Sequence, residues 1–294
     1  MSVKGVWVAL ATPFDEDGDV NLKEARRLAR HLVDEGVHGV VVGGTTAESP
    51  TLTHEEKAAL LEALLEEVGD RVPVWFGAGT HSTWETLRLA RLGEERGAHG
   101  LMLVTPYYNK PPQEGLYRHF RAVAEEASLP LMLYNVPGRT AVHLEPETVA
   151  RLAEDCPTVV AVKEASGRLE MVTEIRRLAP RIAIMTGDDG HFLSTLRLGG
   201  HGVVSVAAQV APRLMVECYE AFREGREGRA EELDTLLQPL YKALFVTTNP
   251  IPVKYALECL GYSMGGYRLP LVEPTEAQKE VIRQALSRAG LVKR

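Results

Sequence analysis

Eight short runs rich in Val, Leu, Ile and Met, at residues 5–10, 39–43, 72–76, 100–104, 129–134, 159–163, 182–185 and 203–206, alternate with longer charged segments. This alternation restricts the fold more than any other feature of the 294-residue chain. Several runs are apolar at consecutive positions, the pattern of parallel strands covered on both faces. Between them, stretches such as HEEKAALLEALLEEVGD (54–70) and ETVARLAEDC (147–156) repeat apolar residues three and four apart, the spacing of a helix with one buried face. Eight such units with no linker and no shift of composition predict an α/β protein built as a closed (β/α)8 TIM barrel; an open doubly wound sheet is the runner-up. After the last run, residues 213–224, 230–245, 251–260 and 275–289 all read as helices. The first completes the eighth unit. The expected division is therefore a barrel over 1–225 and a C-terminal helical extension over 226–294.

Bulk properties exclude several functions. No apolar run approaches the roughly 18 residues of a membrane span, so no membrane association is expected. A net charge of -7, spread over helices of mixed sign, offers no basic patch for nucleic acid. The amino-terminal MSVKGVWVALATPF lacks the regions of a signal peptide, which predicts a cytoplasmic protein. Cys156, Cys218 and Cys259 lie far apart and read as core thiols. None of the nine histidines falls in a spacing such as HExxH, so no metal is implied.

In a barrel of this kind the active site lies at the C-terminal ends of the strands. The residues there are GGTTAES (43–49), TPYYN (105–109), YNVPGRT (134–140), Lys163 and GDD, which opens with Gly187, a candidate substrate contact. Lys163 is the anomaly, because it ends the apolar run of TVVAVKEASG and burial penalises a charged ammonium. Strand alternation predicts that it shares a face with Val159 and Ala161 while Glu164 points the other way. An amine held in an apolar site is driven toward its neutral, nucleophilic form, which makes Lys163 a candidate Schiff-base residue. The alternative is a lysine whose stem packs while its ammonium reaches water. Tyr134 and Tyr108 read either as half-buried hydrogen-bonding aromatics or as proton shuttles. Thr45 and Thr46 offer hydroxyls to a relay, or merely cap a turn. Arg139 reads as a bidentate carboxylate clamp or a surface ion pair. After the seventh and eighth strands stand GDDGH and SVAAQ, acidic where phosphate-binding barrels carry glycine-rich turns, which argues against a sugar phosphate.

Taken with ATPF, VTPYYNKPPQEGLYRHF, LYNVPGRT, VKEASG, GGHGVVSV and NPIPVK (249–254), these motifs give a nearly end-to-end likeness. The chain resembles the dihydrodipicolinate synthase branch of the pyruvate-dependent aldolase and N-acetylneuraminate lyase superfamily. The resemblance implies condensation of pyruvate with L-aspartate-4-semialdehyde to 4-hydroxy-tetrahydrodipicolinate, in lysine and diaminopimelate biosynthesis. It implies no cofactor beyond an imine between Lys163 and pyruvate, and a homotetramer built as a dimer of dimers. Tyr134 would be the general acid and base, and Thr46 (or Thr45) would join a hydroxyl relay completed by Tyr108 from the neighbouring subunit. Arg139 would bind the aldehyde's carboxylate, and Val204 would line the pyruvate site. A related class I aldolase or dehydratase acting on a 2-keto acid is the alternative; the paired threonines and Arg139 favour the synthase. One departure stands out: Ala47 replaces the usual glycine of GTTGES, and would strain the turn if that position needs φ > 0. The resemblance also places an inhibitory lysine site near Ser49, His54, Lys57, His81, Glu85 and Tyr107. Lysine-sensitive members carry His and Asn where this chain has Lys57 and His81, so insensitivity to lysine is expected.

Overall fold

The computed structural model of the chain describes residues 3–292; Met1 and Ser2 of the amino-terminal stretch read above, with Lys293 and Arg294, lie outside the described residues. Each apolar run forms a strand, offset by no more than two residues at either end: β1 Gly5–Ala9, β2 Gly39–Val42, β3 Val74–Gly77, β4 Gly100–Val104, β5 Leu131–Asn135, β6 Val159–Glu164, β7 Ala183–Thr186 and β8 Gly202–Ser205. All neighbours pair in parallel and β8 returns to β1, which closes the barrel and excludes the open sheet. Helices α1 (Leu22–Asp34), α2 (His54–Val68), α3 (Thr83–Glu95), α4 (Gln113–Glu126), α5 (Pro137–Thr140), α6 (Pro146–Asp155), α7 (Glu170–Leu178), α8 (Phe192–Arg197) and α9 (Pro212–Arg223) connect or follow the strands. Helices α10 (Glu227–Ala243), α11 (Ile251–Cys259) and α12 (Glu276–Arg288) come after them. Capping boxes at Thr53 and Thr275 start α2 and α12, each satisfying two backbone groups at the helix entrance. No helix among the described residues is long and apolar enough to cross a membrane.

Two apolar layers result from strand alternation. The larger lies between strands and helices; the smaller fills the barrel with Trp7, Val41, Trp75, Met102, Met132, Ala161, Met185 and Val204 among others. Trp7 and Trp75 meet edge to face, ring centroids 5.4 Å apart. Glycine is required beside them: a Cβ on Gly39 would lie 2.5 Å from Trp7, and one on Gly100 would lie 2.3 Å from Trp75. Between β5 and β6 the register shifts, since Leu131 pairs with Val159 but Met132 pairs with Ala161. Val160 is the extra residue of this bulge. The expectation that Val159 shares the face of Ala161 and Lys163 therefore fails, because the bulge turns Val159 into the outer layer with Val162.

A His-Gly dipeptide opens β2, β4 and β8. The Nδ1 atoms of His38, His99 and His201 accept from the backbone N–H of Val6, Val74 and Ile184 at 3.2, 3.0 and 3.0 Å. Each histidine's own N–H donates to the carbonyl of the same partner. These strand-start N–H groups would otherwise lack an acceptor. At the other end Gln209 closes the β8–β1 seam, accepting from Ala11 N–H at 2.7 Å and donating to the Ala9 carbonyl at 2.9 Å.

Burial holds His38 and His201 below the ordinary histidine pKa of 6.5. An Nδ1 that accepts cannot also carry a proton, so the unfolded chain binds protons more readily than the folded one. The stability these residues supply is present above pH 6.5 and declines as pH falls through that value toward the lowered folded pKa values. Replacing both with Ala should cost about 1–3 kcal/mol per orphaned N–H at neutral pH. The variant's stability should also vary less than the parent's across the acid range, as measured by denaturant titrations at a series of pH values.

Candidate active site

Lys163 ends the inward face of β6, and its register partner on β5 is Tyr134. The side chain is 4% exposed, and its Nζ lies 4.2 Å from the centre of the Tyr134 ring. Glu164 turns away as expected: its carboxylate accepts from Asn135 Nδ2 at 2.8 Å and from Ser166 N–H at 2.7 Å. The lysine stem lies so close to Gly187 that a Cβ there would fall 2.7 Å from Lys163 Cε. Gly187 is thus glycine to admit the lysine. Lys163 opens into a cavity of about 460 Å³ shared with Thr45, Thr46, Tyr134, Arg139, Gly187 and Asn249. A residue so little exposed does not fit a strand-end lysine extended into bulk water.

The GGTTAES turn supplies two of those walls. Thr45–Ala47 form one 3-10 turn and Ser49–Thr51 a second. Thr46 is buried, and its Oγ1 accepts from Asn249 Nδ2 at 3.0 Å. Left-handed backbone falls at Glu48, with φ 57 and ψ 34, between the two turns; Ala47 lies inside the first. The strain anticipated at Ala47 therefore does not arise. A non-glycine residue in this region costs on the order of 1–3 kcal/mol. Glu48 is held there by Lys254 Nζ at 2.7 Å and by the Arg268 N–H at 3.1 Å.

Arg139 stands in α5, just beyond β5, where Pro137 opens the single helical turn. Its Nη2 donates to the Asn249 carbonyl at 3.0 Å, and no exposed ion pair holds it among the described residues. Arg139, Tyr134 and Thr45 also border a second cavity of about 600 Å³ that contains Lys57, Tyr107 and Tyr108. Tyr108 lies at its outer edge, 92% exposed and with φ 75. Within one chain the fold gathers Lys163, Tyr134, Thr45, Thr46, Arg139 and Gly187, and leaves Tyr108 outside. Val204 does not line the cavity: it is sealed in the barrel interior, and Val206, two residues further on, reaches the cavity instead.

Several contributors were not singled out in the sequence. Asn249 touches both Thr46 and Arg139. Its only signal was membership of NPIPVK. Asp189, fully buried, accepts from the N–H groups of Val206 and Ala207 at 3.1 and 2.8 Å, and so fixes the wall that carries Val206. Burial pushes its pKa up to about 6. Around the second cavity His54 pairs with Glu85, and the His81 and Tyr107 rings lie 5.2 Å apart. Burial lowers the Lys57 pKa, opposed by the Glu85 charge.

The chain matches the sequence profile of the Dihydrodipicolinate synthetase family over residues 2–289. It is 51% identical to the 4-hydroxy-tetrahydrodipicolinate synthase of Desulforudis audaxviator, over 98% of each chain. It is 48% identical to the synthase of Methanopyrus kandleri, over 99% of this chain and 97% of that one. Among solved structures, the Thermotoga maritima dihydrodipicolinate synthase superposes with a TM-score of 0.96 at 42% identity, covering 98% and 99% of the two chains. The Cyanidioschyzon merolae enzyme, solved with lysine bound, gives 0.96 at 43% identity, covering 98% of this chain and 99% of that one. A likeness this extensive, on a barrel that places a buried lysine beside a tyrosine at one mouth, leads to one conclusion: the chain belongs to the dihydrodipicolinate synthetase family.

Proposed function

We propose that this chain condenses pyruvate with L-aspartate-4-semialdehyde to give 4-hydroxy-tetrahydrodipicolinate, through an imine on Lys163. The observation that carries the reading is the buried Lys163 amine, above the Tyr134 ring and against Gly187, in a cavity that also holds Arg139. The amine attacks the C2 carbonyl of pyruvate, and water leaves as the imine forms. Removal of a C3 proton gives an enamine, whose C3 bonds to the aldehyde carbon. The amino group of the second substrate then attacks the imine carbon, Lys163 departs as the amine, and the ring closes.

Tyr134 transfers the protons these steps require, with Thr46 and Thr45 relaying them. The buried Thr46 hydroxyl, fixed by Asn249, supports that role. Tyr108 completes the relay from a neighbouring subunit, a role that its exposed left-handed loop position supports. The assembly is then a homotetramer, a dimer of dimers, acting in the cytoplasm. Arg139 binds the carboxylate of the aldehyde substrate. No cofactor takes part, because the protonated imine is the electron sink.

Borohydride with pyruvate should fix the imine as a secondary amine on Lys163 alone, identified by peptide mass spectrometry. An adduct on any other lysine overturns the assignment. Gly187→Ala should slow trapping by about tenfold or more, because a displacement near 1 Å at a reacting group is costly. Arg139→Ala should raise KM for the aldehyde by about 10- to 100-fold, the few kcal/mol lost when a charge-assisted pair is truncated. Pyruvate KM should move little, and equal shifts for both substrates would make Arg139 a structural residue. Free lysine should not inhibit: Glu85 is already engaged by His54, and Lys57 meets a dicationic ligand with like charge. Half-inhibition below about 1 mM, a binding free energy near -4 kcal/mol, would show that Lys57 attracts the ligand's carboxylate instead.

A further inference from the structure

The Glu48–Lys254 pair is the most deeply buried charge pair among the described residues, with side chains 1% and 0% exposed. Lys254 Nζ lies 2.7 Å from Glu48 Oε1 and 4.2 Å from the centre of the Phe14 ring. The second carboxylate oxygen accepts from the Arg268 N–H. Neither residue reaches the cavity that contains Lys163. Desolvating two charges offsets most of their attraction, so such a pair is no more stabilising than an apolar pair of similar volume. What the pair does impose is geometry.

That geometry converges on the groups assigned above to the reaction. Glu48 directly follows the turn bearing Thr45 and Thr46, and its left-handed backbone redirects the chain between two 3-10 turns. Lys254 lies in α11, five positions after Asn249. Asn249 holds Thr46 through its side chain and Arg139 through its carbonyl. One short segment thus contacts the hydroxyl turn at its middle, through Asn249 at Thr46, and just past its end, through Lys254 at Glu48, and anchors the guanidinium as well.

We propose that Glu48 and Lys254 are positioning residues, which clamp the Thr45–Thr46 turn onto the 249–254 segment and so set the hydroxyl relay and Arg139 relative to Lys163. The proposal rests on the reaction assigned above. Lys163 itself is held independently by β6, Tyr134 and Gly187, so the clamp governs turnover and not the extent of imine formation.

The test compares the parent protein with Lys254→Met, Glu48→Gln and the double variant. The double variant removes the pair without leaving a lone buried charge, and guards against a single variant that does not fold. Its thermal midpoint should stay within about 5 °C of the parent, the shift expected of roughly neutral replacement of a buried pair. Borohydride should trap pyruvate on Lys163 to the same final extent. Its kcat should fall by about tenfold or more while pyruvate KM stays within about threefold, the signature of lost transition-state positioning without lost binding. A folded double variant with parental kcat overturns the proposal. So does a double variant that loses its thermal transition and its adduct together, since the pair would then be a stability element. Absence of an adduct in the parent protein removes the assigned reaction, and this proposal with it, and is read before any variant is made.

Discussion

The pairing of β5 with β6 decides what this barrel can do. Paired residues on parallel strands face the same side, so the register determines which β5 residue accompanies Lys163. Continued without interruption from Leu131–Val159, the ladder would set Val162 beside Tyr134 and Lys163 beside Asn135, facing the helices. Val160, taken up as an extra residue, shifts the pairing by one and brings Tyr134 and Lys163 together on the inward face. The cavity, the close approach to Gly187 and the contact between amine and ring all follow from that offset.

The inward face tolerates a lysine there because the rest of it is filled. Trp7 and Trp75 occupy the barrel below, over glycines that leave no room for a side chain, and Met132, Met185 and Val204 complete the packing. An amine at the rim thus has the apolar packing of the barrel interior on its stem side and the cavity on the other. The fully buried Lys254 has the opposite circumstances: a carboxylate at 2.7 Å and no access to that cavity. Lys163 and Lys254 are thus opposite cases, one without a neutralising carboxylate at hand and one with it, and of these two only Lys163 is placed to meet a carbonyl.

Much of this arrangement was legible in the sequence, and the failures have physical causes. The eight strands were readable because parallel strands are apolar on both faces, and Lys163 stood out as a charge at the end of such a run. The face of Val159 was misjudged because alternation assumes an unbroken period of two, and a bulge leaves no trace in composition. Val204 was expected at the cavity, but it packs inside the barrel with Met132 and Met185, and Val206, just past the end of β8, borders the cavity instead. Strain was expected at Ala47 because sequence offers no φ; the chain makes its left-handed step one residue later, at Glu48, where a side chain long enough to reach Lys254 holds it. Asn249 went unassigned because its partners lie 203 and 110 residues away, and only the closed fold reveals such contacts.

The histidine fasteners at the base of the barrel carry a trace of how the eightfold ring is composed. Taken two strands at a time from the start of the chain, β1–β2, β3–β4 and β7–β8 each have a His-Gly step whose imidazole secures an N–H of the first or second residue of the earlier strand. The intervening β2–β3 and β4–β5 seams use the carbonyls of Pro73 and Pro130 instead. In β5–β6 the Leu131 N–H goes to the Thr158 carbonyl, and the imidazole is missing. That quarter is also the one with the shifted register and the one that bears Tyr134 and Lys163. The barrel is thus three like quarters and one divergent quarter: symmetry is kept where only closure is at stake, and given up where the amine and the phenol have to meet.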